Sequence, residues 1–226
     1  MKTIILSITL SVFFLTACGQ SKETRNLSSF SSISVGEAIK VYLEKGSSEK
    51  AVLEVKGTDM DNVITKVSGD HLKIHMDNGN WRNVDVTIWV TYRELDAIGI
   101  SSAAKLTAKE PIKSESMEID VSSAANGEIA LNAGSLEIDI SSAANLTLYG
   151  NVNSMEVDIS SAGTLKAYEL DCKEAEIDVS SAGSAKVNVT ERIDAGASSG
   201  GSIRYKGNPD KIIANSSSGG SVKKSN

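Results

Sequence analysis

MEIDVSSAA (117–125), LEIDISSAA (136–144), MEVDISSAG (155–163) and AEIDVSSAG (175–183) are four near-copies of one nine-residue phrase. Within each, apolar and polar residues alternate with period two, the signature of a β-strand with one buried face. In the second copy Leu136, Ile138 and Ile140 point one way, and Glu137, Asp139 and Ser141 the other. The apolar set must face a core. Weaker copies extend the series on both sides: LDAIGISSAA (95–104), IDAGASSGG (193–201) and IIANSSSGG (212–220). The serine pairs beginning at Ser101, Ser122, Ser141, Ser160, Ser180, Ser198 and Ser217 are separated by 21, 19, 19, 20, 18 and 19 residues.

A single phrase cannot bury its apolar edge. Stacked phrases can, each pairing its backbone with the next at about 4.8 Å. That is solenoid logic, in which a repeat touches only its neighbours. Spacings of this size suit one coil of a parallel β-helix, whereas a propeller blade needs about 40 residues. Strict alternation excludes a helical repeat. Ile98, Ile119, Ile138, Val157 and Ile177 form one predicted inward column, and Ile100, Val121, Ile140, Ile159 and Val179 another. Leu106, Leu146, Leu165, Ile203 and Val222 follow on a second strand of each rung. By parity the second serine of each pair also points inward, and a buried hydroxyl needs a partner. A hydrogen-bonded serine ladder at a bend is therefore expected.

Residues 95–226 read as the repeat and 30–94 as an irregular N-terminal β cap. ISVGEAIKVYL (33–43) echoes IGISSAAKLTA (98–108) as a degenerate rung. AVLEV (51–55), HLKIHM (71–76) and VDVTIWVTY (84–92) are further strands, separated by turn signals such as Ser68-Gly69-Asp70. A cap covers what would otherwise be an exposed strand edge. Proline is confined to Pro111 and Pro209, so long strands are allowed.

Residues 1–17 read as a leader: Lys2, then an apolar run from Thr3 to Leu15, too short for a membrane-spanning helix of about 20 residues. Leu15-Thr16-Ala17-Cys18 resembles the lipobox of bacterial lipoproteins, which implies cleavage before Cys18 and a diacylglycerol on its thiol. Two or more acyl chains hold a protein stably on a membrane. Gly19, rather than Asp, favours the outer membrane by resemblance to the enterobacterial sorting rule. Polar residues 18–29 read as a flexible tether. Cys172 is then the one remaining cysteine, a small buried hydrophobe without a disulfide partner.

The net charge of −6 argues against a nucleic-acid partner. Two charged columns stand out. Glu118, Glu137, Glu156 and Glu176 stack beside Asp120, Asp139, Asp158 and Asp178, giving eight outward carboxylates on four rungs. Unit charges about 4.8 Å apart repel by about 1 kcal/mol in water. Calcium accepts such oxygens, but no calcium-loop pattern is present, and a solvated charged face is the reading retained. Lys166, Lys186, Arg204 and Lys223 form a basic column on the second strand, a candidate surface for an anionic glycan or for the acidic stripe of another copy. Tyr149 and Tyr168 share an offset on adjacent rungs and are expected to form an aromatic ladder. His71 and His75 lie on a strand about 13 Å apart, too far for one metal ion.

The series beginning at Phe30-Ile33-Val35-Gly36, with VDVTIWVTYRELDAIGISSAAKL (84–106) and the repeated EIDxSSA rungs, resembles the "putative auto-transporter adhesin, head GIN domain" family, common in the Bacteroidota. The resemblance covers about residues 29–226. It implies an all-β, right-handed parallel β-helix and carries over no catalytic residues or cofactor. No P-loop or dinucleotide fingerprint appears. The expected function is a non-catalytic, lipid-anchored envelope protein presenting a rigid surface for binding a glycan or protein, or for self-association. The alternative is a polysaccharide lyase or hydrolase, which needs a local break in the repeat.

Overall fold

The computed structural model describes residues 21–225. The expected leader and Cys18 lie outside the described residues. Among the described residues there are sixteen strands and one turn of 3-10 helix, Met60–Asn62. The strands are β1 (Ser21–Asn26), β2 (Ser32–Val35), β3 (Lys40–Lys45), β4 (Lys50–Lys56), β5 (Val63–Ser68), β6 (His71–Met76), β7 (Asp85–Tyr92) and β8 (Ala97–Ile100). They continue as β9 (Lys105–Val121), β10 (Asn126–Ile140), β11 (Asn145–Ile159), β12 (Thr164–Val179), β13 (Ser184–Ala197), β14 (Ser202–Lys206), β15 (Lys211–Ser216) and β16 (Ser221–Lys224).

The five strands β9 to β13 stack in parallel, and the interior columns are those the alternation predicts. Ile33, Ile98, Ile119, Ile138, Val157 and Ile177 are register partners in succession, all buried. Ile100, Val121, Ile140, Ile159 and Val179 form the neighbouring column. Burying one such side chain contributes about 2 kcal/mol, repeated at every rung. Between β10 and β11 the register runs without a shift. Irregular serine spacings elsewhere are bulges. The 21-residue step places Lys109, Glu110 and Pro111 of β9 opposite Ala130 alone. The 20-residue step carries one extra residue in β12 after Thr147/Lys166.

The corners correct one expectation. The second serine of each pair does not point inward; Ser123, Ser142, Ser161 and Ser181 are exposed. Each corner turns through two consecutive left-handed residues, for example Ser142 at φ 53° and Ala143 at φ 58°. This breaks the alternation that the parity argument extended through the bend. The conformation costs a non-glycine residue about 1 kcal/mol. Backbone hydrogen bonds offset it: Ala144 N–H donates to the Ser141 carbonyl at 3.1 Å, and Ala143 N–H to Ser161 of the next coil at 2.9 Å. The ladder at the bend is thus made of main chain, not hydroxyls. The residue after the turn is buried and small. A Cβ on Gly163 would lie 2.8 Å from both the Ile140 carbonyl oxygen and Cγ2.

The echo at 33–43 is a true rung. β2 pairs in parallel with β8, and β3 with β9, around a corner at Glu37 and Ala38 with the same left-handed φ. β6 and β7 pair with β2 and β3 on the other side and form the coil beyond it. Antiparallel β4, β1 and β5 then cover that end.

β1 corrects the tether. Ser21–Asn26 pairs along its whole length with β4. Its polarity reflects an edge strand rather than a loose one. Arg25 donates to the Val63 carbonyl at 2.6 Å, the Met60 carbonyl at 3.2 Å and the Thr65 hydroxyl at 3.1 Å, joining the two halves of the cap. The opposite end carries no such cover among the described residues: β15 pairs only with β13, β16 only with β14, and Ile212 is 49% exposed. Lys211, Lys223 and Lys224 stand on these edges, where lysine discourages further strand pairing.

Candidate functional site

The outward residues of the coils form the columns read from the sequence. Glu118, Glu137, Glu156 and Glu176 are successive register partners, and so are Asp120, Asp139, Asp158 and Asp178. All eight are exposed, and none forms an ion pair among the described residues. The Glu column continues to Asp194, which Arg192 approaches at 3.7 Å; the Asp column ends at Gly196, whose backbone lies under Asp178. Repulsion is felt at Asp120: partial burial, then the charges of Asp139 and Glu137, hold its carboxyl above the usual range. A groove of about 540 Å³ runs between Asp139, Asp158 and Asp178 and the first serines Ser141, Ser160 and Ser180.

The basic column is also formed. Lys166 pairs with Lys186, Lys186 with Arg204 and Arg204 with Lys223, all exposed and none in an ion pair among the described residues. It lies across the serine corner from the acidic stripe, on different strand segments of the same coils. Each column therefore keeps its own sign of potential.

The tyrosine ladder does not form. The bulge in β12 sets Tyr149 opposite Glu169, not Tyr168. Tyr168 instead hydrogen-bonds Ser225 at 2.6 Å and lies under the Lys206 ammonium, 5.3 Å from the ring centroid. This contact pins the last coil.

His71 and His75 sit on strand β6. Both ring nitrogens of His71 are occupied, by Ser32 and Ser34 at 2.8 Å each, and His75 Nδ1 lies 2.7 Å from the Met76 carbonyl. Among the described residues, no group of three or more His, Cys, Asp or Glu side chains is arranged to hold a metal ion. Cys172 is buried and donates to the Glu174 carbonyl at 3.0 Å; burial pushes its thiol up to about 12, so it stays protonated.

One feature escaped the sequence reading. Beyond Tyr42 and Thr107, β3 and β9 part, leaving a cleft of about 360 Å³ beside a stacked Tyr42–Trp89 pair. The signal was present in the one serine step of 21 residues, which marks the inserted Lys109-Glu110 segment.

Known structures share this architecture. A "putative adhesin" of Bacteroides fragilis superposes with a TM-score of 0.83 at 18% identity, over 92% of this chain and 98% of that one. A "putative lipid binding protein" of Parabacteroides distasonis gives 0.72 at 20% identity, over 91% and 96%. A "putative adhesin" of Parabacteroides merdae gives 0.74 at 18%, over 91% and 96%. At these identities the likeness concerns the fold alone. No curated protein matches the chain. A family model described as "Putative auto-transporter adhesin, head GIN domain" matches residues 29–209, from just before β2 to just after β14, and the chain belongs to that family.

Proposed function

We propose that this chain is a non-catalytic, lipid-anchored protein of the cell envelope, held in the outer membrane through Cys18, whose rigid β-helix presents a surface for binding or self-association in the manner of an adhesin. The observation that carries the reading is the unbroken register of outward columns. A surface of this kind is pre-organised: its charges stand at fixed spacing on main-chain ladders, so little order is lost on contact. The family's adhesin label and its association with surface export agree with an envelope location. The leader-like segment and the lipobox-like Leu15-Thr16-Ala17-Cys18 supply the anchor. The acidic stripe and the Lys166–Lys186–Arg204 column are the proposed contact faces, acting through complementary potential.

Glycan-array binding, measured with and without calcium, tests the surface role. Saturable binding to a glycan class supports it; absence of binding under every condition opposes it. Labelling cells with a radioactive fatty acid tests the anchor. Cys18→Ser is expected to abolish incorporation, and continued incorporation would refute the assignment.

A further inference from the structure

We infer that the cleft between β3 and β9 is a binding site for a neutral saccharide unit; the inference rests on the non-catalytic binding role above and supplies a ligand class for one part of the surface. The cleft exists because the repeat fails there. β3 follows β9 only over Lys40–Tyr42, opposite Lys105–Thr107. β9 then accommodates Lys109, Glu110 and Pro111 across from one residue of β10, and proline brings no N–H to a ladder. The strands separate and leave about 360 Å³, a volume in the range of small-molecule sites of about 300–1,000 Å³.

The lining has the chemistry of sugar recognition. Tyr42 and Trp89 stack at 5.9 Å between centroids with 19° between planes, and the Lys22 ammonium lies 5.8 Å from the Trp89 ring. Trp89 is thereby fixed, and the pair offers apolar surface with polar tips. Thr107 is only 4% exposed, lines the cleft, and its hydroxyl makes no hydrogen bond with any described residue. Among the described residues no buried side-chain oxygen or nitrogen lacks a partner, so this hydroxyl opens onto the cleft, where a ligand group can replace the water it meets. Glu44 and Glu110 offer acceptors, Lys45 and Lys109 donors, and their charges cancel. A balanced set of this kind fits a neutral polyol better than a strongly charged group. An acyl chain finds apolar contact only at the two rings and Leu43, because every other lining residue is polar or charged.

The test is titration of the purified full chain with neutral hexasaccharides of glucose, mannose and N-acetylglucosamine. Tryptophan fluorescence and amide shifts are followed together. At least one probe is expected to saturate, with shifts centred on Tyr42, Thr107 and Lys109. Thr107→Val, which removes a hydrogen bond, and the exposed Glu110→Gln, which turns a charged acceptor into a neutral one, are each expected to weaken it about fivefold. Thr107→Ser should restore most of the affinity, and Asp139→Asn should leave it unchanged. No saturable response to any of the three probes overturns the site, as does binding indifferent to Thr107→Val and Glu110→Gln. Array binding that survives those variants but depends on Lys186 or Asp158 would defeat this inference while sparing the adhesin reading. Absence of all array binding would remove both.

Discussion

Two junctions in this stack are built from the same kind of sequence and end differently. Between β10 and β11 every residue of β10 but Gly134 meets its counterpart, without a register shift. Between β3 and β9 pairing stops after three residues, and a cleft opens. The first junction shows what a repeat does well: it places an apolar residue over an apolar residue and a charge over a charge, coil after coil. It also shows why a uniform coil offers a surface rather than a pocket. The second shows how small an irregularity is needed to make one. Two residues more than the usual 19-residue step separate the strands and expose an aromatic pair beside a nearly buried threonine.

Substitution inside the stack has the largest expected effect. Ile138→Asp places a carboxylate in the buried β10 column, where no cation is available to pair it. It is expected to cost about 4 kcal/mol or more and to abolish cooperative denaturant unfolding. Its neighbour Asp139→Asn should be neutral or stabilising, and the reverse outcome would invert the assignment of faces. Overfilling a corner comes next. Gly163→Val sets side-chain atoms against Ile140 and should lower stability by about 2 kcal/mol, read from the unfolding midpoint at constant slope.

The faces were legible because period two is a local property. Ile138 and Glu137 announce their sides from the alternation alone. The echo of ISVGEAIKVYL was legible for the same reason, and β2 and β3 occupy the place it predicts. The serine ladder was misjudged because parity holds only while φ stays extended, and Ser142 and Ala143 are left-handed. The tyrosine ladder failed because one bulged residue in β12 shifts the register between Thr147 and Tyr149. β1 was missed because an edge strand with both faces wet has no apolar pattern to read; Arg25 acts through main-chain carbonyls far away in sequence. The columns of the candidate surface were visible as identical residues at fixed spacing. The cleft was not, because Tyr42, Trp89 and Thr107 belong to three strands that only the out-of-order stacking of β7, β3 and β9 brings together.

Two smaller effects sharpen the contrast. Deleting Lys109 and Glu110 returns the first serine step to 19 residues. The shortened chain is expected to unfold cooperatively within about 1 kcal/mol of the parent, since loop length alone changes stability little, while losing the saccharide response. Asp120→Asn probes the acidic stripe. The folded carboxyl titrates above its ordinary range, so the folded chain holds the proton more tightly than the unfolded one. The stability it contributes is greatest below the ordinary aspartate range and is lost as pH rises through the folded value. Asp120→Asn should therefore raise stability at neutral pH by about 0.5 kcal/mol, the size of a like-charge cross-strand term, with the gain disappearing in acid. Thermal melts of both chains across that pH range give the sign.

Native-state amide hydrogen exchange tests the central contrast most directly, because it reports each coil separately. The amides of Ile138 and Val157 are expected to exchange only through global unfolding, with the unfolding free energy extrapolated to zero denaturant. Those of Lys109 and Glu110, which have no ladder partner on β10 or β3, should exchange by local opening at a much smaller cost. Equal protection at the two junctions, or greater protection at Lys109 and Glu110, would contradict it.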